Sequence, residues 1–427
     1  MSEEFLYYIW EFGLFNKKDL CTTNGDELII LNPGFRNKDS GPDFTNARIK
    51  IGNTTWSGNI EIHINSSDWI LHKHNESNLY NSVILHVVIN NNKIIKFKSN
   101  IEIPTLSLKE RINKELYSKY SNFCSSKLWI PCKNSINNAD KLIINNFIES
   151  LSLERLEDRI SEIKTNLIIH KNDWNEILYQ RIALGFGFKT NSSQFELLAK
   201  YTPLNIILKN KDNPKIIESL LYGQAGLLSE NYKDKYPGQL LEEYLYLKQK
   251  YSLKNISIIP WKFMRMRPMN FPTIRISQFA DLLNNFSGLF SRIIDCKYLE
   301  DIKSLLKLKA SEYWNNHYIF DEISDFRVKE LGDLSSDILI INAIIPVVFA
   351  YGKILNSEKY INRAISLLEN VKGEKNNIIK KWDSLGIKGE SAFYTQGLLQ
   401  LYNNYCLSKK CLECRIGNNI LRKDIKY

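Results

Sequence analysis

The chain is poor in histidine and methionine, with six and four of them among 427 residues. It also has no G-x-x-x-x-G-K-[ST] phosphate loop, no G-x-S-x-G elbow and no H-E-x-x-H helix. Those absences exclude P-loop nucleotide chemistry, the α/β-hydrolase serine and the helical zinc proteases. Gly185-Phe186-Gly187 is too short for a dinucleotide site and reads as a helix terminus. No uninterrupted apolar run of about eighteen residues occurs, and the N-terminus MSEEFLYYIWEF lacks a basic segment followed by an apolar one. The expectation is a cytoplasmic protein that does not enter a membrane. Seven cysteines, an odd number without an export signal, argue against a disulfide framework.

The scarce histidines are concentrated. Residues 41 to 86 hold His63, His72, His74 and His86, together with Asp43, Glu61 and Asp68. A strand sends alternate side chains to opposite faces, so one row from this stretch is Ile60, Ile62 and Ile64 and the other is Asn59, Glu61, His63 and Asn65. Gly41 and Pro42 supply turn chemistry before Asp43, and a hairpin through Gly52 and Asn53 brings Asp43 near Glu61. Two carboxylates and an imidazole at a hairpin end suit a divalent cation, Mg²⁺ or Mn²⁺, with Asp68, His72 and His74 as further ligands. In the competing reading Asp43 is a turn residue, and Glu61 and His63 lie on a solvated sheet face. His86, in VILHVV, reads as a hydrogen-bonded core histidine. His72 and His74 share a face if the segment is extended, whereas on a helix they diverge by roughly 200°.

Apolar periodicity predicts a helix over residues 3–15, strands at 27–31, 44–51, 55–65, 83–89 and 93–98, and helices from Asn138 onward without strand alternation. The fold class is therefore α+β: a mixed α/β domain over residues 1–135, then an all-α domain over 136–427. The order of helix, three strands, short crossover and strand resembles the restriction-endonuclease-like PD-(D/E)XK superfamily. In that family an acid opens the second strand and an acid-x-lysine pair lies on the third. The matching residues here are Pro42-Asp43 and Glu61-Ile62-His63, with His63 standing where lysine is usual; a neutral histidine there does general-base work or ligates metal. Longer strings, GPDF, GNIEIH, SSDW, LLYGQAGLL, RPMNFPTIRISQFA and YCLSKKCLECRIG, are similar to a bacterial family known as domain of unknown function 2851. That resemblance implies no particular activity.

Two further features bear on partners and metals. The formal charge of +10 suits a polyanion, although the cations are dispersed along a chain rich in Lys, Asn and Ile. Trp261, Lys262, Arg265, Arg267, Asn270 and Arg275 mix guanidinium groups with aromatics and fit phosphate contact and base stacking, or else a proline-stiffened connector. Near the C-terminus, Cys406, Cys411 and Cys414 form C-x4-C-x2-C, a thiolate pattern for structural zinc. Cys132, Cys124 or a histidine would be the fourth ligand, and three reduced cysteines are the alternative. The functional expectation is a metal-dependent nuclease hydrolysing phosphodiesters in nucleic acid. A cupin-like metal enzyme acting on a small molecule, or a non-catalytic nucleic-acid-binding scaffold, are the alternatives.

Overall fold

The computed structural model describes residues 1–254 and 260–423. They form two compact units: Met1–Phe147 joined by the tail from Tyr402, and Ile148–Leu401. The cysteine-bearing tail thus belongs with the sheet, although sequence periodicity alone grouped it with the helical residues that precede it.

The first unit opens with α1 (Glu3–Glu11), where the Ser2 hydroxyl accepts the Phe5 N–H and Glu3 and Glu4 occupy the first turn. Phe5, Leu6, Tyr8, Ile9 and Trp10 are all buried. The helix is sunk into the unit and not laid on it, and Trp10 Nε1 donates to the Pro33 carbonyl at 3.0 Å. It ends before residue 15 because Gly13 turns the chain at φ +60°.

The sheet comprises β1 (Leu28–Asn32), β2 (Phe35–Arg36), β3 (Phe44–Ile51), β4 (Thr54–Asn65), β5 (Val83–Asn90) and β6 (Thr105–Ser107), in the order β1-β3-β4-β5-β6 with β2 also on β3. The pairs β1/β3 and β3/β4 are antiparallel, whereas β4/β5 and β5/β6 are parallel. Gly52, at φ +54°, makes the tight β3–β4 turn with Asn53. A parallel pair needs a long crossover, and residues 66–82 supply it with α2 (Asp68–Leu71) and a 3-10 turn, Asn78–Tyr80. The strand expected at 93–98 does not form. Asn100, at φ +61°, folds that segment back through a single bridge between Lys96 and Glu102, and Ile95 and Ile103 drop into a small core with Trp69 and Val83.

One irregularity sets the register of the site. Phe44 pairs with Ile60, but Ala47 pairs with Gly58, so β3 carries one extra residue between them. Asn46 takes up the bulge at φ +57°, and its N–H meets Asn59 Oδ1 at 3.3 Å. The shift places Asp43, just before β3, across from Glu61.

In the second unit the helices Trp174–Phe186, Pro214–Gln224 and Pro272–Asn284 pack into one apolar core. A small hairpin, His317–Ile319 with Glu322–Ile323, interrupts the helices, so this region is helical without being purely α. Among the described residues, Asp333–Ile354 is the one helix long and apolar enough to cross a membrane; 72% of its apolar window is buried inside the unit. Pro346 has no N–H to offer the preceding turn, which widens into a π turn at Ile340–Ile344. Arg159 donates instead to the Ile341 carbonyl at 3.3 Å and to Asn342 Oδ1 at 3.0 Å.

Candidate metal centre

The inner half of β4 is buried on both faces. Ile60 and Ile62 are fully buried in the core, and Glu61 and His63 are only 4% and 2% exposed. A solvated polar row is therefore not what the structure contains. Asp43 and Glu61 are tied together across the two strands: Asp43 N–H donates to Glu61 Oε2 at 3.1 Å, and the N–H of Ile62, the residue after Glu61, donates to Asp43 Oδ2 at 2.8 Å.

The crossover brings the remaining histidines onto this pair. His72 follows α2, and Lys73 then turns left-handed at φ +59°. His72 and His74 are consequently neither on an extended segment nor on two faces of a helix. The turn folds them together, and the ligand nitrogens of His63, His72 and His74 all lie within 4.8 Å of one another. Glu61 Oε1 is 3.0 Å from His74 Nε2 and 3.6 Å from His63 Nε2, and His72 Nδ1 is 3.2 Å from His63 Nε2. His63 is buried and His72 exposed, so the group opens to solvent on the His72 side. Tyr80 stacks on His74 with ring centroids 3.8 Å apart, and Trp69 packs against His74 and His86.

His86 holds a second position behind this group. It is completely buried, and its Nε2 lies 2.8 Å from His63 Nδ1. Asp68, by contrast, is used locally: its Oδ2 accepts the Asn65 main-chain and side-chain N–H groups at 2.9 and 3.3 Å. The geometry gathers Asp43, Glu61, His63, His72 and His74 and leaves Asp68 at the turn.

Two groups that the sequence reading did not single out complete the surroundings. Glu3 and Tyr7, four residues apart on one face of α1, reach the same site. The Tyr7 hydroxyl lies within electrostatic reach of Asp43 and Glu3. Burial first, then the charge of Asp43, holds Tyr7 well above the ordinary phenol range.

The electrostatics are those of a polar cluster taken out of water. Burial, followed by repulsion from Glu61, pushes Asp43 up to about 7. Burial likewise pushes Glu61 up to about 8. His63 is lowered to about 2 and His86 to about 3, in each case mainly by burial and then by neighbouring imidazoles, and burial lowers His74 as well. Neutral imidazoles are the form that binds a cation, and carboxyl groups that resist ionisation are the form a cation relieves. Three imidazole nitrogens with carboxylate oxygen suit a borderline transition ion better than Mg²⁺, which prefers oxygen and water.

Elsewhere the candidate cations are divided. Lys262, Arg265 and Arg267 are exposed on a segment whose main chain is pinned by Asn191, which receives the Lys262 N–H at 2.9 Å and donates to the Lys262 carbonyl at 3.0 Å. Arg275 is 5% exposed and turned inward, bonded to Gln278, Asn270 and Ser335 and lying over the Phe188 ring. Its guanidinium braces the helical core and is not presented with the other three.

Neither a curated protein nor a solved structure matches the chain. Residues 3–377, a span that includes every residue of this centre, match the family described as Protein of unknown function (DUF2851), and the chain belongs to that family.

Proposed function

We propose that the protein is a divalent-metal-dependent phosphodiesterase acting on nucleic acid, with its centre at Asp43, Glu61, His63, His72 and His74. The observation that carries this reading is the reciprocal locking of Asp43 and Glu61 beside three imidazoles whose ligand atoms lie within 4.8 Å of one another. Support also comes from the order of elements. An acid precedes β3, Glu61-Ile62-His63 lies on β4, and a helical crossover leads to the parallel β5, as the PD-(D/E)XK resemblance implies.

His63 serves here as a ligand and not as a base, because a buried imidazole lowered to about 2 accepts a proton poorly. Asp43 and Glu61 supply hard oxygen donors, and Tyr7 stands near the Asp43 carboxyl on the α1 side. Mn²⁺ fits this mixed set better than Mg²⁺. A bound ion would polarise the scissile phosphate and lower the pKa of an attacking water. Lys262, Arg265 and Arg267 would add phosphate contacts that are blind to sequence. The small-molecule alternative expects a jelly-roll double sheet, and the parallel β4/β5 pairing speaks against it.

The test is cleavage of labelled single- and double-stranded DNA and RNA with Mn²⁺, Mg²⁺ or EDTA, beside Glu61→Gln. Metal-dependent cutting that disappears in the variant supports the proposal and identifies the polymer. Folded protein that cuts nothing under any of these conditions overturns it in favour of a scaffold.

A further inference from the structure

Four of the seven cysteines come together within the first unit. Cys132, Cys411 and Cys414 are 9%, 8% and 7% exposed, Cys406 is partly buried, and none of them is in a disulfide. Cys132 lies in the loop before the helix α3 (Lys141–Ile169), and the other three belong to the tail. Tail and loop are laced together around them. The Trp129 and Tyr402 rings are 5.8 Å apart, Asp140 N–H donates to Asn419 Oδ1 at 2.9 Å, and Lys423 Nζ donates to the Asn138 carbonyl at 2.8 Å.

The local geometry at Cys411 and Cys414 is that of a turn closed under a helix start. Cys414 N–H donates to the Lys410 carbonyl at 3.1 Å, and Cys414 then caps the helix Arg415–Arg422. Gly417 N–H points at Cys414 Sγ at 3.5 Å, a contact that favours thiolate over thiol. Glycine is required there because a Cβ would stand 2.4 Å from the Cys411 carbonyl oxygen. A main-chain N–H aimed at sulfur from a Cys-x2-Cys turn is what a tetrahedral thiolate site uses.

We propose that Cys132, Cys406, Cys411 and Cys414 are the four ligands of a structural zinc ion that fastens the C-terminal tail to the loop before α3.

The thiols are also electrostatically aware of one another in all six pairings. Burial and then this repulsion push Cys132 up to about 12, whereas Cys414 rises only to about 11 because its sulfur receives main-chain N–H groups. Cys124 does not share this environment. It is exposed, and among the four it is within electrostatic reach of Cys411 alone. It is therefore not the fourth ligand.

Loading is a proton exchange with no redox step. Zn²⁺ replaces the four thiol protons, which leave to solvent, and the resulting tetrathiolate carries a net charge of minus two, partly offset by Lys409 beside Cys411. Among the described residues the histidine trio is the group already drawn within 4.8 Å. Sulfurs sharing a zinc at about 2.3 Å stand about 3.8 Å apart, so loading pulls these four inward. Cys132 lies within the matched residues 3–377 and the three tail cysteines lie beyond them.

The test is metal analysis of the full-length protein, followed by cobalt replacement. The expected result is about one zinc per chain that survives in a His72→Ala/His74→Ala variant and in Cys124→Ser, and falls to near zero in Cys132→Ser and Cys414→Ser. Cobalt in the unsubstituted protein should give the visible bands of a tetrahedral site with sulfur-to-metal charge transfer, a readout that stands even if the cysteine variants fail to fold. Absence of those bands overturns the proposal, as does zinc that persists in folded Cys132→Ser. Iron with acid-labile sulfide in place of zinc overturns it as well.

Discussion

His63 Nδ1 lies 2.8 Å from His86 Nε2, and this pairing decides which nitrogen His63 can offer to the proposed metal ion. If Nε2 of His63 faces the ion, Nδ1 carries the proton and donates it to His86. His86 in turn keeps its own proton on Nδ1, a buried atom with no hydrogen-bond partner. His86 is thus a positioning residue, and ligand-orienting partners of this kind are worth roughly 10- to 100-fold in metal affinity. His86→Leu should weaken Mn²⁺ binding by about that factor in calorimetric titration while the protein stays folded. Unchanged affinity would mean that the β4 backbone alone orients His63.

The same groups make the stability of the metal-free protein depend on pH in two directions. Asp43 and Glu61 rise from 3.8 and 4.5 to about 7 and about 8, so across that interval the folded state holds protons that the unfolded chain has released. Stability therefore falls as pH rises through it. His63 and His86 drop from 6.5 to about 2 and about 3, so the unfolded chain takes up protons that the folded state refuses, and stability falls as pH decreases below 6.5. Between 4.5 and 6.5 the two trends offset one another, so together these groups contribute a plateau there and a decline from 6.5 toward 8. Melting temperatures taken across this range should show the decline, and saturating Mn²⁺ should remove it, because bound carboxylates are ionised throughout. Glu61→Gln should flatten the decline without metal. A slope that Mn²⁺ and this substitution both leave in place would assign it to other groups.

Much of this centre was legible in residues 41 to 86. The alternation of Ile60, Ile62 and Ile64 fixes β4, Gly52-Asn53 fixes the hairpin, and together they bring Asp43 to Glu61. The convergence of His72 and His74 was not legible, since it depends on one left-handed residue, Lys73, for which no glycine or asparagine gave a signal. Glu3 and Tyr7 arrive by tertiary packing of α1, and only their four-residue spacing hinted at a shared face. The segment 93–98 has strand composition, but Ile95 is worth more under Trp69 than in a ladder, so packing overrides propensity there.

Polyanion binding provides an independent check on the helical unit. Lys262, Arg265 and Arg267 are exposed while Arg275 is enclosed by its partners, so the four should behave differently. Each of Lys262→Ala, Arg265→Ala and Arg267→Ala should weaken binding to a labelled oligonucleotide irrespective of its sequence, and reduce the slope of log affinity against log salt by about 1. Arg275→Ala should instead lower the melting temperature, since it leaves Asn270, Gln278 and Ser335 without their donor. Salt slopes identical to wild type in all three exposed variants would remove this segment from the binding surface.

The bulge at Asn46 links backbone register to metal binding. Ahead of it Phe44 faces Ile60, and beyond it Ala47 faces Gly58, so deleting Asn46 would leave a regular ladder with Asp43 still against Glu61, whereas inserting one more residue here would carry the inner register along by one and set Asp43 against Ile62. A one-residue slip turns a side chain to the other face. Insertion of one residue beside Asn46 should therefore abolish Mn²⁺ binding even though no ligand has been changed, and deletion of Asn46 should not. Asn46→Gly should retain it, because glycine accepts φ +57° without strain. Asn46→Val should keep the register but cost about 1–2 kcal/mol of stability for holding a β-branched residue in the left-handed region. Calorimetric titration of these variants separates the two effects: affinity follows the register of Asp43, and stability follows the residue at the bulge. Full Mn²⁺ affinity in the insertion variant would show that Asp43 is not a ligand or that the strand absorbs the insertion elsewhere, and either result would break the link between the bulge and the centre.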